Sequence, residues 1–376
     1  MDDVITATVL RQTSRRRVFQ YIYNSSQPVT RKEIAEELSL SVPTITGSLS
    51  ELVELGLVSC SDVQVSTEER KPRTYALEPL ARGAVGLSIL DNEVRMLAID
   101  MRANELGFRA LPLPFTHTAS YYETLTRCLE EFLDDLDLDR SRLLGVGITL
   151  PGIIDQEAGK VVMAPTLDLW DVSLDEIYPY FSRYHSFIEN DANASGCAER
   201  WMDKSRSNMV YLYLERGVGG AIFWDNKQYI GDRGRGGEFG HLCIVPNGKL
   251  CHCGRRGCLE AYCSTSRLSD DLGVTLEEFF AALRGGDEQA AAIWAEYCDH
   301  LTDALNNLRT NFDCDIVLGG TLSSYLGDLF PELCWELGEK TLFNGDSSFL
   351  HLDRFGAHSA CAGTALRFID DYLCSI

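Results

Sequence analysis

One histidine and three cysteines within residues 241–258 have a spacing that suits a metal ion. They are arranged as His241-x9-Cys251-x-Cys253-x4-Cys258. Zinc is held tetrahedrally by thiolates and imidazole, and a closed set of four such ligands forms a structural site with no open position for catalysis. The sequence therefore predicts a structural zinc centre. The alternative is three buried cysteines without metal and a surface histidine.

Two glycines shape this predicted zinc loop. Gly254 and Gly257 allow the chain to curl, so that Cys258 returns to the same ion as the two earlier cysteines. The chain has 13 cysteines in all. An odd number in a chain without an export signal does not indicate a disulfide framework.

The first 60 residues carry the local signals of three helices. Residues 14–27 show apolar helical periodicity. Thr30 and Glu33 form a capping-box pattern ahead of a short helix over residues 31–38. After a tight turn, Ser41 caps a third helix. Two short helices joined by such a turn are typical of a helix-turn-helix.

A predicted hairpin with a basic tip follows these helices. Residues 57–60 and 73–77 have the composition of paired strands, and the loop between them is polar and basic. The whole segment is typical of a winged helix-turn-helix, whose wing cations bind phosphates while small polar side chains of the third helix face base edges. The predicted DNA-binding residues are Arg31, Ser41, Thr44, Thr46 and Ser48 in the helices and Arg70, Lys71 and Arg73 in the wing.

The charge distribution restricts where DNA can bind. The net charge is −22, of which residues 1–75 carry only −1 (nine basic and ten acidic side chains) and the other 301 residues carry −21. DNA phosphates repel an acidic surface, so any DNA contact must come from the first segment. A small helical oligomerisation domain remains the alternative for that segment, and the Arg15–Arg17 run fits either a phosphate clamp or a solvated face.

Composition excludes several other classes of protein. The 376 residues are 45% hydrophobic and 24% charged, which is ordinary globular composition. No stretch approaches the ~18 uninterrupted apolar residues of a membrane helix. Asp2 and Asp3 replace the basic start of a secretory signal, and no apolar core follows them, so we expect a cytoplasmic protein.

From about residue 80 the pattern changes to an α/β arrangement. Short β-rich runs alternate with helical periodicity, and polar residues follow several strands, which predicts two lobes with a cleft between them. The predicted strands are 84–90, 93–100 and 106–113 as a meander, then 144–150, 186–188, 209–214, 219–224 and 315–318. Helices are predicted over 121–136 and 290–308, and a third follows residues 189–193 and ends at Trp201.

The zinc loop and its flanks resemble the signature of the ROK family, which groups sugar-responsive repressors and sugar kinases. The matching residues are Gly237-Glu238-Phe239-Gly240-His241 and Cys251-x-Cys253-Gly254-x-x-Gly257-Cys258-Leu259-Glu260. Other segments match in order, and the similarity covers essentially the whole chain: Gly147-x3-Pro151-Gly152, Glu189-Asn190-Asp191-Ala192-Asn193, Asp315-Ile316-Val317-Leu318-Gly319-Gly320 and Gly363-Thr364-Ala365. The winged helix-turn-helix is the architecture of the repressor branch, not of stand-alone kinases.

The resemblance implies an architecture and its domain limits. It implies an N-terminal winged helix-turn-helix, residues 1–79, followed by a two-lobed actin-like ATPase/sugar-kinase-type (ribonuclease H-like) fold over residues 80–376. The first lobe is expected at about 80–190 together with the C-terminal helix, and the second at about 191–355.

The same resemblance assigns a sugar site. The implied sugar-binding residues are Gly152, Asn190, Asp191, Glu238, His241 and Glu260. His241 would bind zinc through one ring nitrogen and face the sugar with the other. Asp191 matches the general base of the kinase relatives. For Glu238 and Glu260 the alternative is that they are solvated surface acids.

One departure from the family pattern separates sensor from kinase. The kinases begin their body with Asp-x-Gly-Gly-Thr, a turn whose backbone approaches ATP phosphates. Here Ser88 replaces the acid, and Leu90 and Asp91 replace the glycines. A side chain at Leu90 and a negative charge at Asp91 both oppose phosphate binding. We therefore predict that the protein has no catalytic function.

The sequence as a whole predicts a sugar-responsive, DNA-binding regulator of transcription, a repressor acting on a double-stranded operator as a homodimer or homotetramer. Its effector would be a sugar bound between the lobes, and its cofactor structural zinc. Two alternatives stay open: an ATP-dependent sugar kinase with a DNA-binding head, and a regulator that senses a protein partner and has lost sugar binding.

Overall fold

The computed structural model describes residues 7–61, 73–136, 138–342 and 345–376. It begins with three helices and a three-stranded sheet ordered β1-β3-β2, which confirms the predicted helices and hairpin. Their bounds are α1 Ala7–Asn24, β1 Val29–Thr30, α2 Arg31–Leu38, α3 Val42–Glu54, β2 Val58–Ser61 and β3 Thr74–Leu77. Helix α1 starts earlier than predicted because its first turns, with exposed Val9 and Leu10, have no buried stripe that periodicity could detect.

The predicted helix caps are present. The Thr30 side chain accepts a hydrogen bond from the Glu33 N–H, and the Glu33 carboxylate accepts one from the Thr30 N–H, which completes the capping box of α2. Ser41 caps α3 by accepting from the Thr44 N–H, and Pro43 lies in the first turn, where a missing N–H costs nothing. These local bonds fix where both helices begin.

The predicted exposure of Ser48 is wrong. Its side chain is only 4% exposed because it follows Ile45 by three positions and precedes Leu52 by four, on the buried face of α3. The core of this region is formed by apolar side chains of all three helices and the sheet, together with residues from the body of the chain: Val18, Phe19, Ile22, Ile34, Ile45, Leu49, Leu52, Leu57, Tyr75, Leu77, Met101 and Ile376.

The first lobe contains a five-stranded sheet ordered β11-β7-β4-β5-β6 and a small sheet ordered β10-β9-β8. The meander β4-β5-β6 is antiparallel, whereas β7 and β11 are added in parallel. The bounds are β4 Gly83–Ile89, β5 Glu93–Asp100, β6 Glu105–Pro112, α4 Ala119–Asp134, β7 Leu143–Leu150, β8 Ile153–Asp155, β9 Lys160–Ala164, β10 Leu169–Ser173 and β11 Ser186–Asn190.

The second lobe contains a five-stranded sheet ordered β14-β13-β12-β15-β16, with helices on its outer side. The bounds are α5 Asp191–Met202, β12 Met209–Leu214, β13 Val218–Trp224, β14 Lys227–Gln228, α6 Glu260–Cys263, α7 Leu276–Arg284, α8 Glu288–Phe312, β15 Asp315–Gly319, α9 Phe330–Lys340 and β16 Leu350–Leu352. The last helix, α10 Ser359–Ser375, packs against β4 and β7 of the first lobe. In the part of the chain that is described, no helix has both the length and the apolar character needed to cross a membrane.

Helices α5 and α10 lie together between the two large sheets, in contacts so close that glycine is required. A Cβ at Gly363 of α10 would lie 1.8 Å from the Ala194 carbonyl oxygen of α5. A Cβ at Gly86 of β4 would lie 1.8 Å from the Cys361 carbonyl oxygen of α10. Both distances are impossible for a real side chain, so these glycines set how the lobes meet.

We predict that Leu52→Ala destabilises the helix-turn-helix by about 2–5 kcal/mol, because it opens a cavity at a fully buried position. The neighbouring Val53→Ala, at a side chain that is 39% exposed, should cost less than about 0.5 kcal/mol. Native-state hydrogen exchange of the α1–α3 amides in the full chain measures the loss of stability in each variant. Equal protection in the two variants would contradict the core described above.

Candidate functional site

The four predicted metal ligands come together in one loop. The candidate ligand atoms of His241, Cys251, Cys253 and Cys258 all lie within 4.8 Å of one another. The Sγ atoms of Cys253 and Cys258 are 3.7 Å apart, and Cys251 Sγ is 3.8 Å from His241 Nδ1. A tetrahedral ion with metal–sulfur bonds of ~2.3 Å would place its sulfurs about 3.8 Å apart, so the cluster fits a tetrahedral metal ion.

Glycine makes the return of this loop possible. Gly257 has φ +84, and a Cβ there would lie 1.9 Å from the Val245 carbonyl oxygen. Gly254 has the same φ and ends the turn that begins at Cys251, whose carbonyl accepts the Gly254 N–H at 2.9 Å. Cys258 is therefore carried back beside the other ligands, as the sequence predicted.

The thiols themselves favour a bound cation. Burial raises the pKa of Cys251 and Cys258. Burial acts in the same direction on Cys253, but hydrogen bonds from the Arg255 N–H and the two neighbouring thiols together lower its pKa. Three thiolates this close repel one another, and a divalent ion relieves that repulsion. The described residues hold a second candidate group, in which His252 Nδ1 lies 2.5 Å from Glu260 Oε1 and 4.0 Å from Cys251 Sγ. His252 was not among the predicted ligands, although its place between Cys251 and Cys253 was a signal.

Asp191 is the first residue of helix α5 and directly follows strand β11 of the first lobe. Its Oδ1 atom accepts the Ala192 N–H at 2.9 Å and lies 3.2 Å from Asn190 Nδ2. Asn190 caps the helix by accepting the Asn193 N–H at 2.8 Å. The Asn190 amide also donates to the Gly152 carbonyl at 2.8 Å, so this side chain holds Asp191 and the turn after β7 together.

Gly152 is required by the backbone at that turn. It has φ +103, and a Cβ would lie 2.2 Å from the Met163 carbonyl oxygen. The residue therefore allows the turn to approach β9 and presents its carbonyl to Asn190. A direct contact between Gly152 or Asn190 and a sugar stays a prediction.

Several carboxylates face the same space as Asp191. Burial raises the pKa of Asp191 to about 7, and the charges of Glu215 and Glu238 add to the effect. Burial also raises the pKa of Glu238, and His241 opposes this shift. Glu260 is buried too, but hydrogen bonds from His252 and the Val218 N–H lower its pKa. The alternative that these two residues are solvated surface acids does not fit the burial of Glu260, whereas it stays open for Glu238, whose side chain is exposed.

Glu215, whose charge influences Asp191, was not predicted from the sequence. It follows β12 directly, and its side chain is 8% exposed. A lone acid at the end of a strand is a common pattern, so only its position after a fully buried strand was a signal.

The turn at Leu90 and Asp91, predicted to stand in place of the kinase glycine motif, closes as an ordinary hairpin between β4 and β5. The Leu90 N–H donates to the Glu93 carbonyl at 2.9 Å. Ser88 is buried, and Asp91 lies 3.6 Å from Arg216 of the second lobe.

The predicted DNA-binding residues have mixed surroundings. Ser41 is an exposed cap, Thr44 is half-buried, and the Thr46 hydroxyl donates to the Val42 carbonyl at 2.8 Å. Arg31 Nη1 lies 3.4 Å from Thr46 Oγ1, so these two residues share one surface. Arg73 is exposed, whereas Arg70 and Lys71 fall outside the described residues, and Ser48 is buried as stated above.

The Arg15–Arg17 run is partly used inside the protein. Arg15 Nη1 lies 3.2 Å from Glu51 Oε2, and Arg17 Nη2 donates to the Leu38 carbonyl at 2.8 Å. These contacts tie α1 to α3 and α2. They favour a role in packing the helices over a phosphate clamp.

The chain belongs to the ROK family, because residues 92–364 match the profile of that family. Residues 12–60 match a helix-turn-helix domain. The fold is accordingly an N-terminal helix-turn-helix joined to the two-lobed α/β fold of ROK sugar kinases.

Relatives with known roles include regulators of transcription. The chain is 25% identical over 262 residues to the DNA-binding transcriptional dual regulator NagC of Escherichia coli, a match that spans 69% of this chain and 64% of NagC. It is 25% identical over 355 residues to the xylose repressor of Caldicellulosiruptor bescii, covering 86% and 87% of the two chains.

Two solved structures share the fold. One is a ROK family transcriptional regulator described as a homologue of the E. coli Mlc protein, with a TM-score of 0.73, 24% identity and coverage of 97% and 98%. The other is the glucokinase of Streptomyces griseus in complex with glucose and AMPPNP, with a TM-score of 0.64, 22% identity and coverage of 76% and 98%.

We predict that the protein as purified binds about one metal ion per chain, and that Cys258→Ser loses it because the tetrahedral set is broken. Cys243→Ser is the matched control, since Cys243 is an exposed cysteine of the same loop outside the cluster. Elemental analysis of dialysed protein measures both. Loss of metal in the control, or retention in Cys258→Ser, would contradict the assigned ligands.

We predict that Asp191 makes stability depend on pH. Its pKa rises from 3.8 in the unfolded chain to about 7, so the folded state binds the extra proton and is favoured below pH 4. This contribution, about 3–4 kcal/mol, is lost as the pH rises to about 7. The free energies of unfolding of the wild type and of Asp191→Asn, measured in urea, should therefore differ by an amount that changes between these pH values.

The matched control for this measurement is Glu123→Gln, which neutralises an exposed acid of α4. The difference in free energy of unfolding between Glu123→Gln and the wild type should not change across the same pH range. Subtracting the free energy of unfolding of a variant from that of the wild type also cancels the pH dependence due to the metal ligands, because all three proteins have the same ligands. A flat difference for Asp191→Asn would show that Asp191 is ionised when folded.

Proposed function

We propose that this ROK family protein is a sugar-responsive regulator of transcription, a repressor that binds an operator through its helix-turn-helix and releases it when a sugar enters the cleft. The observation that carries the proposal is the presence in one chain of a helix-turn-helix over residues 12–60 and a cleft of buried carboxylates in a sugar-kinase-type fold. Regulators such as NagC and the xylose repressor support it. We place the domains at residues 1–79 and 80–376 and the protein in the cytoplasm.

We propose that the sugar hydroxyls bind Asp191, Glu238, His241 and Glu260, whose charges influence one another in the cleft. Carboxylates accept hydrogen bonds in fixed directions, as recognition of a sugar requires. Asn190 and Gly152 complete the site and hold Asp191 in place through the bond between them.

We propose that the ion in the Cys3His cluster is structural zinc. Four protein ligands leave no open coordination position, so the metal shapes the loop and does not act on substrate. Because His241 Nδ1 faces the cysteines, the other ring nitrogen is available to the sugar. The metal would thereby orient one wall of the sugar site.

We propose that the sugar acts by closing the lobes and changing the relative position of two helix-turn-helix heads in a dimer or tetramer. The same residues do not favour catalysis: Asp191 matches the kinase base, but Ser88, Leu90 and Asp91 remove the phosphate-binding turn. A kinase with a DNA-binding head is the second candidate, and sugar-dependent ATP consumption would support it.

The test uses an operator selected from random duplex DNA by the purified protein. D-xylose, D-glucose and N-acetylglucosamine are each added to that complex, and at least one should weaken binding by about 5- to 150-fold. Asp191→Asn should bind the operator normally and lose the sugar response, whereas Glu123→Gln should behave as the wild type. A sugar that raises the melting temperature but leaves operator affinity unchanged would contradict the regulatory role.

A further inference from the structure

Arg95 of β5 reaches from the first lobe across the cleft to the second. Its Nη1 atom lies 2.9 Å from Glu215 Oε1 and 3.1 Å from Thr321 Oγ1. It also donates to the Ala357 carbonyl, just before α10, at 3.2 Å. The Arg95 and Glu215 side chains are only 13% and 8% exposed, so water screens this ion pair little.

The Glu215 carboxylate accepts hydrogen bonds from donors of the kind that also bind a phosphate. Its Oε1 atom accepts the Thr321 N–H at 3.1 Å and the Thr321 hydroxyl in addition to the guanidinium of Arg95. That N–H follows the Gly319–Gly320 turn, where Gly320 has φ +81. A backbone N–H at a glycine turn together with an arginine is a set of donors that binds phosphate oxygens in other proteins.

The register of β4 and β5 places this pair beside the degenerate turn. Ser88, which replaces the acid of the kinase motif, is the direct cross-strand partner of Arg95. The first lobe thus presents a fixed cation and a neutral hydroxyl where the kinase motif presents an acid. The cation is already neutralised by two internal carboxylates, Glu93 of the same strand at 2.6 Å and Glu215 of the second lobe at 2.9 Å.

A second, weaker pair joins the lobes next to the first. Asp91 in the turn lies 3.6 Å from Arg216, which is itself 2.7 Å from Asp270. All three side chains are partly exposed, so their contribution is small compared with that of the buried pair.

We propose that Arg95, Glu215 and Thr321 form a latch that joins the two lobes, with the Glu215 carboxylate occupying the donors that a nucleotide phosphate would need. The latch closes this side of the cleft without nucleotide, so the opening of the lobes is governed by an internal ion pair. This inference goes beyond the proposed function, and its test uses neither sugar nor DNA, so either can fail alone.

The test is hydrogen–deuterium exchange of the full chain and of Arg95→Met. Loss of the guanidinium leaves the buried Glu215 carboxylate without a counter-ion, held only by Thr321 of its own lobe, which favours the open arrangement. The segments 88–95 and 319–325 should then exchange at least about tenfold faster than in the wild type. Glu215→Gln, which keeps the shape and the Thr321 contacts, should give a smaller increase and should add little to Arg95→Met in the double variant.

Arg206→Met is the matched control. Arg206 is 16% exposed and lies 3.1 Å from Glu199, a buried pair that does not span the lobes. This variant should leave exchange in 88–95 and 319–325 unchanged. Equal exchange in folded Arg95→Met and in the control would overturn the latch, and if Arg95→Met does not fold, Glu215→Gln decides by the same comparison.

Nucleotide binding gives an independent measurement. Magnesium with AMPPNP should not slow exchange in segments 88–95 or 319–325 of the wild type, because Glu215 already holds the donors. Protection of both segments by AMPPNP would overturn the proposal.

Discussion

The close contact of α10 with α5 and with the first sheet is the constraint on which the rest of the structure depends. Gly86 and Gly363 permit it, since a methyl group at either position would lie within 2 Å of a carbonyl oxygen. This packing holds the start of α5, and therefore Asp191, between the lobes. The far end of α10 places Ile376 in the core of the helix-turn-helix. One helix thus contacts both the start of α5 and the helix-turn-helix.

The cleft concentrates negative charge, and the fold offsets that charge in different ways. Asp191 retains a proton up to about pH 7 because it is buried beside other acids. Glu215 is neutralised by Arg95, and Glu260 by its bonds to His252 and the Val218 N–H. The cysteine cluster fits a metal ion because a cation would offset the negative charge of closely spaced thiolates. A polar ligand that donates hydrogen bonds would be favoured in such surroundings.

The net charge differs strongly between the N-terminal segment and the body of the chain. Residues 1–75 are close to neutral, whereas the body carries −21 and repels DNA at a distance. The proposed DNA binding is therefore assigned to this N-terminal segment and not to the acidic body. Within the body, the ion pair between Arg95 and Glu215 joins a residue of the first lobe to a residue of the second.

The sequence by itself determined whatever depends on neighbours within a few residues. The capping box of Thr30 and Glu33, the cap at Ser41 and the curl of the metal loop at Gly257 are local, so spacing and residue type were sufficient. Tertiary structure decided that Ser48 is buried, that the Asn190 amide turns to Gly152 and that Arg95 meets Glu215, 120 residues away. Such contacts depend on how distant elements pack, and no local pattern records that geometry.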